Sequence, residues 1–244
     1  MKRKTALITG ASRGIGRAAA RAFAAQGYDL ALNCLHLANE LRAFAKELRE
    51  VYGVRTLCCC GDVGSDAFVS GMFAQIEDFC GGIDLLVNNA GISYIGLLSD
   101  MPFSEWERVL HTNLTSAFLC CKYAIPHMVS QKSGKIINVS SEWGVCGASC
   151  EAAYSAAKGG VNALTMALAK ELAPSNIQVN AAAFGVIDTQ MNAGLTKEER
   201  AQLAEEIPAG YFAKPEEAAE FLLHLAHAPA YLTGQVIRFD GGWM

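Results

Sequence analysis

Tyr154 and Lys158 stand four residues apart in Tyr154-Ser155-Ala156-Ala157-Lys158. On a helix this spacing sets a phenol and an ammonium on one face, within reach of a common ligand. A free phenol ionises near pH 10, too high for acid–base work at neutral pH, and a nearby cation can lower that value by about 1 to 3 units. Each unit is worth about 1.4 kcal/mol, so the amine together with a positively charged bound ring could bring Tyr154 near its working range as a proton donor. Near the start of the chain, Thr9-Gly10-Ala11-Ser12-Arg13-Gly14-Ile15-Gly16 leads from an apolar run into a helical pattern. Glycines at 10, 14 and 16 let backbone amides at a positive helix end approach a pyrophosphate with no Cβ in the way. Three glycines alone would also suit a plain strand-to-helix turn.

Positioning such groups requires a scaffold, and the apolar pattern supplies one. Short β-branched runs at Thr5 to Thr9, Tyr28 to Cys34, Arg55 to Cys60, Asp84 to Ala90, Lys135 to Ser141, Gln178 to Ala183 and Val236 to Phe239 read as seven buried strands. Between them Ile15, Ala18, Ala19, Ala22 and Phe23, then Leu41, Phe44, Ala45 and Leu48, recur at helical spacing. Further helices fit 65 to 80, 104 to 128, 152 to 173 and 215 to 227. Strand and helix alternate throughout, which predicts a single doubly wound α/β (Rossmann) domain over 1–244, its seven-stranded parallel sheet flanked by helices on both faces. The irregular stretch 185 to 214, with Gly185, Gly194, Pro208 and Gly210, predicts a substrate lid at about 186–214.

Composition narrows the function classes. Of 244 residues 52% are apolar and 18% charged, enough for a large core and unlike a disordered chain. The net charge is -4, and no dense basic run follows Lys2-Arg3-Lys4, which argues against nucleic-acid binding. Nine cysteines with no Cys-x-x-Cys spacing indicate neither a disulfide framework nor a zinc site, and they read as small apolar fillers in a reducing compartment. His224 and His227 do not by themselves make a metal site. The apolar stretch after Lys2-Arg3-Lys4 is too short for a signal peptide, and no apolar run is long enough to span a membrane. The expectation is a cytoplasmic protein with no membrane partner.

Taken together, the glycine turn, Asn88-Asn89-Ala90-Gly91 after the fourth strand, the serine-ended fifth strand and Tyr154-x-x-x-Lys158 resemble the short-chain dehydrogenase/reductase family over essentially the whole chain. The resemblance implies that Gly10, Ser12, Arg13, Gly14, Ile15 and Gly16 hold the dinucleotide and that Asp62 and Val63 contact adenine. Asn89, Ala90 and Gly91 would then lie beside the cofactor. It also implies that Tyr154 donates a proton to a substrate carbonyl, Lys158 holds the nicotinamide ribose, and Ser141 hydrogen-bonds the carbonyl oxygen. Asn113 would serve a water-linked proton relay, and Ser140 would be structural. Ile187 and Thr189 fit the positions that hold the carboxamide, while Phe184 replaces the family's proline, adds a ring and frees φ, which implies either a reshaped nicotinamide pocket or a more mobile loop. Relatives are commonly homotetramers.

An acidic side chain ending the second strand would favour NAD, but that position is Cys34, and Arg13 can aim a guanidinium at a 2′-phosphate. The expected cofactor is NADP(H). Tyr231-Leu232-Thr233-Gly234-Gln235 and Asp240-Gly241-Gly242 resemble 3-oxoacyl-[acyl-carrier-protein] reductases, for which Lys132 and Lys135 could contribute to a carrier-docking patch, although Ser175-Asn176 replaces residues that are often basic. The segment 141 to 151 resembles the elongation factor P 5-aminopentanone reductases more closely, which act on a ketone carried by a modified lysine. Glu151 could pair there with a substrate ammonium. The ketone is thus a small molecule or a protein-tethered group. A non-catalytic cofactor-binding sensor or scaffold is the remaining alternative.

Overall fold

The computed structural model describes residues 3–244. Seven strands form one parallel sheet: β1 (Thr5–Ile8), β2 (Asp29–Cys34), β3 (Thr56–Cys60), β4 (Leu85–Asn88), β5 (Gly134–Ser141), β6 (Ile177–Phe184) and β7 (Val236–Phe239). Their spatial order is β3-β2-β1-β4-β5-β6-β7. The order reverses between β1 and β4, which opens a crevice beyond the carboxyl ends of those strands.

Helices cover both faces. On one side α1 (Gly14–Ala25), α2 (Ala38–Tyr52) and α9 (Pro215–His227) bury Phe23, Phe44 and Leu222 against the sheet. On the other, α3 (Asp66–Cys80), α5 (Ser116–Gln131) and α7 (Ala152–Leu172) bury Met72, Leu119 and Leu168. Every residue of β1, β2, β4 and β6 is buried, as helices on both sheet faces require, including the polar Asp29, Asn33, Gln178 and Asn180.

The expected strands and crossover helices are all present, with ends shifted by one or a few residues. Two helical readings need correction. The single helix expected over 104 to 128 is α4 (Phe103–Leu110), a π-helical turn (His111–Thr115) and α5. The stretch 185 to 214 holds α8 (Lys197–Glu206), which buries no side chain and so has no apolar period to read. Its sequence signal is the capping box, in which Thr196 and Glu199 exchange side-chain and backbone hydrogen bonds. A four-residue helix, α6 (Trp143–Cys146), follows β5.

Candidate active site

The glycine turn leaves β1 at Ile8 and enters α1 at Gly14. Gly10 and Gly14 have φ of 64° and 52°, a region other residues adopt at a cost. A Cβ on Gly16 would fall 2.4 Å from the Gly10 carbonyl oxygen, so the helix start must be bare there. Arg13 precedes α1 without capping it, and no acidic side chain occupies the first turn, which leaves the positive end of the helix open to an anion. A crevice of about 470 Å³ faces this turn, lined by Ser12, Arg13, Gly14, Arg17, Glu40 and Thr189 among others. Ile15 packs against the core beneath it. Arg13 is exposed, and its guanidinium donates to Gln190 Oε1 at 3.3 Å across the mouth.

Asn89 joins the turn to β4. Its side-chain amide donates to the carbonyls of Thr9 (2.9 Å) and Gly10 (3.2 Å), while Thr9 Oγ1 accepts from the Asn89 and Ala90 amides. At the other end of the crevice, the Cys34 and Asn33 carbonyls accept from the Gly61 and Ala11 amides. Asp62 accepts from the Gly64 amide at 2.8 Å and lies 2.9 Å from His111 Nε2. Partial burial pushes the Asp62 carboxyl up, but the His111 and Gly64 contacts outweigh it and hold the group below its ordinary value. Val63 is buried beneath. His111 was not among the expected site residues. No local pattern links His111 to Asp62, 49 residues away, and only the fold carries the imidazole to it.

Beyond β4, Ser141 ends β5 and α7 presents Tyr154 and Lys158 toward it. Both side chains are buried, at 9% and 3% exposure. Lys158 Nζ donates to the Val139 carbonyl at 2.7 Å and lies 5.6 Å from the centre of the Tyr154 ring. Burial pushes the Tyr154 phenol up to about 12, with a hydrogen bond to Ser141 offsetting part of this and the Glu151 charge adding to it. Burial also lowers the Lys158 ammonium to about 8. The amine alone therefore leaves the Tyr154 phenol raised, not lowered. Loss of water around both groups dominates, and the amine that was to stabilise a phenolate is itself drawn toward neutrality.

Asn113 sits in the π-helical turn, a local widening that aims its amide inward. Nδ2 donates to the carbonyls of Ile92 and Val109, each at 2.8 Å, and Oδ1 accepts from the Ile92 amide. Gly91 separates this amide from the lysine, since a Cβ there would lie 2.7 Å from Asn113 Oδ1 and 3.5 Å from Lys158 Nζ. Ser140 Oγ donates to the Lys158 carbonyl at 3.4 Å, away from the phenol. Glu151, just before α7, accepts from Ser93 Oγ and, at 3.1 Å, from Trp143 Nε1. Ser93 was not foreseen, because no periodicity marks the loop after β4.

Ile187 is buried and bridges Ala213, while Thr189 Oγ1 accepts from the Met191 amide at the crevice wall. Phe184 ends β6 and is 3% exposed. Its ring packs edge-on against Phe221 and Phe239 at 6.1 and 5.8 Å inside the core. Lys135 is the second residue of β5, six residues and about 20 Å of extended strand from Ser141. Its Nζ donates to the Ala228 carbonyl at 2.5 Å, and Lys132 ends the preceding helix on the same side. Neither lysine flanks the reacting groups of its own chain.

The model of the family described as "short chain dehydrogenase" matches residues 4–200. The uncharacterized oxidoreductase YmfI of Bacillus subtilis is 39% identical over 241 residues, 98% of each chain. The 3-oxoacyl-[acyl-carrier-protein] reductase FabG of Aquifex aeolicus is 39% identical over 240 residues, 98% of this chain and 96% of that one. The crystal structure of a 3-oxoacyl-[acyl-carrier protein] reductase from Brucella melitensis superposes with a TM-score of 0.92 at 33% identity, covering 100% of this chain and 92% of that one. A glycine cradle at a parallel-sheet switch point, a buried tyrosine–lysine pair one helical turn apart and these full-length likenesses have one reading: the chain belongs to the short-chain dehydrogenase family of oxidoreductases, whose members use a nicotinamide cofactor.

Proposed function

We propose that the chain is an NADPH-dependent carbonyl reductase of the 3-oxoacyl-[acyl-carrier-protein] reductase type, turning a ketone into a secondary alcohol. The carrying observation is that buried Ser141, Tyr154 and Lys158 meet between β5 and α7, with the Asn113 amide and the Lys158 ammonium both beside Gly91. A bound dinucleotide supplies the hydride. Ser141 Oγ and the Tyr154 hydroxyl donate to the carbonyl oxygen and place charge-stabilising dipoles where the alkoxide develops. Tyr154, which holds its proton up to about pH 12, delivers it to that oxygen. The ammonium of Lys158 then faces the phenolate and favours return of a proton, with Asn113 ordering the path.

The glycine cradle fits the pyrophosphate because Cβ atoms at Gly10, Gly14 and Gly16 would fill or strain it. Arg13 at the crevice mouth and the uncharged Cys34 favour a 2′-phosphate over free ribose hydroxyls. The segment 186 to 214 closes over the substrate as a lid, and exposed Phe118 on α5 and Met166 on α7 suit burial between copies in a homotetramer, which sedimentation would test.

A second reading rests on Glu151. Its carboxylate is held by Ser93 and Trp143 close enough to act electrostatically on the phenol, a position suited to an ammonium-bearing ketone such as an aminopentanone on a modified lysine. Comparing kcat/KM for an acetoacetyl thioester and an amino ketone, each with NADPH and NADH, tests both. NADPH preference with the thioester supports the first reading. Preference for the amino ketone, lost in Glu151→Gln, supports the second, and preference for NADH contradicts the cofactor assignment.

A further inference from the structure

Cys34 ends β2 directly opposite Cys60, which ends β3 at the sheet edge. Neighbouring strands run about 4.8 Å apart, inside the Cα separation of about 4.4 to 6.8 Å that a disulfide requires. The two sulfurs lie 3.9 Å apart, with the Cys34 thiol donating to Cys60. Bonding would need them to approach to about 2.05 Å, a shift within the reach of side-chain rotation and a small tightening of the strand ends. Cys58 lies one pleat earlier with its thiol toward the Leu41 carbonyl, and Cys59 faces the opposite helical layer. Cys34 and Cys60 are thus a defined pair within the run of cysteines.

On the cofactor reading proposed above, on which this inference rests, the pair lies beside the segments assigned to the adenosine. The Cys34 carbonyl accepts the Gly61 amide at 2.9 Å, the Asn33 carbonyl accepts the Ala11 amide at 2.8 Å, and Asn33 Nδ2 donates to the Cys59 and Gly61 carbonyls, both at 3.0 Å. A tightening of the two strand ends would reach the glycine turn and Gly61-Asp62-Val63 through these hydrogen bonds.

We propose that Cys34 and Cys60 form an oxidisable dithiol that a low-molecular-weight disulfide converts to an intramolecular disulfide, weakening dinucleotide binding. Cys60, partly exposed, attacks first: its thiolate displaces one thiolate from the small disulfide and forms a mixed disulfide. Cys34 then loses its proton to solvent and attacks the Cys60 sulfur, releasing the second small thiolate. The two protein thiols lose two electrons and two protons, and the small disulfide becomes two thiols. Cys34 is 2% exposed, and burial raises its thiol to about 12, so it is a poor first nucleophile and reacts only when an activated sulfur is set beside it.

Oxidised glutathione is the probe. Incubating the full chain with it should remove two of the nine thiols, lower the intact mass by two hydrogens, and yield a digest in which the Cys34 and Cys60 peptides are joined. The dissociation constant for NADPH should rise at least threefold and return on addition of dithiothreitol. Cys34→Ser and Cys60→Ser should each abolish the joined peptide, with Cys34→Ala and Cys60→Ala as second variants should either serine fold poorly, while Cys58→Ser should leave it. In the unoxidised state Cys60→Ser should bind the dinucleotide as the parent does, which separates failure of the switch from failure of the cofactor assignment. A chain that keeps nine thiols, or a joined chain with unchanged affinity, would overturn the proposal.

Discussion

Lys158 concentrates the conflict between stability and chemistry. Burial lowers the Lys158 ammonium, 3% exposed and donating to the Val139 carbonyl, to about 8. A folded-state pKa below the unfolded one means that the fold binds fewer protons between about pH 8 and the ordinary value near 10.5, so stability from this group rises with pH across that window. Below pH 8 the burial cost is fully felt, and it amounts to at most about 3 kcal/mol. Lys158→Met should therefore be inactive yet more stable than the parent at pH 7, and its advantage should shrink as pH rises from 8 to 10. Urea denaturation at three pH values would measure this, and an advantage independent of pH would refute it. Tyr154, Lys158 and Ser141 were legible because their spacing is local. The direction of the phenol's shift was not, since burial depends on how α7 meets β5.

The elements carry the positioning. Gly91 gives the Asn113 amide and the Lys158 ammonium room to approach, and a Cβ 2.7 Å from Oδ1 cannot be absorbed by the far end of a flexible side chain, because that amide is fixed by three hydrogen bonds. Gly91→Ala should lower kcat by about tenfold or more, in the range of a lost proton-transfer contact, with a melting temperature within a few degrees of the parent. Unchanged kcat would show that the Asn113 placement does not matter. The seven strands could be read in sequence because parallel burial forces apolar runs. The break at His111–Thr115 could not, because its residues continue the helical apolar pattern and only the bond ladder changes. The α8 segment was missed for the opposite reason, having no buried face.

At the scale of the whole chain, the last residues are fastened beside the site. Arg238 Nε lies 2.9 Å from the Glu142 carboxylate, its Nη1 donates to the Met244 carbonyl, and Trp243 packs on Trp143 at 5.0 Å. Glu142 is 1% exposed and neither oxygen has an aligned hydrogen bond, so burial raises its pKa and Arg238 is its principal compensation. Arg238→Met should destabilise the fold at neutral pH by on the order of 2 kcal/mol, less than a fully buried pair because the arginine is partly solvated. The loss should diminish as falling pH protonates Glu142, and a loss that grows with acid would contradict this account. Such long-range ties, like the His111–Asp62 contact, join elements far apart in sequence and leave no local pattern to read. Among the described residues no helix is long and apolar enough to cross a membrane. The claim on which the functional reading turns is that Tyr154 delivers the proton at a carbonyl while the rest of the chain binds the dinucleotide, and the direct measurement is Tyr154→Phe under single-turnover conditions with NADPH and a ketone. The variant should keep an NADPH dissociation constant within about threefold of the parent while hydride transfer slows by at least about a hundredfold. Transfer at the parent rate would contradict it.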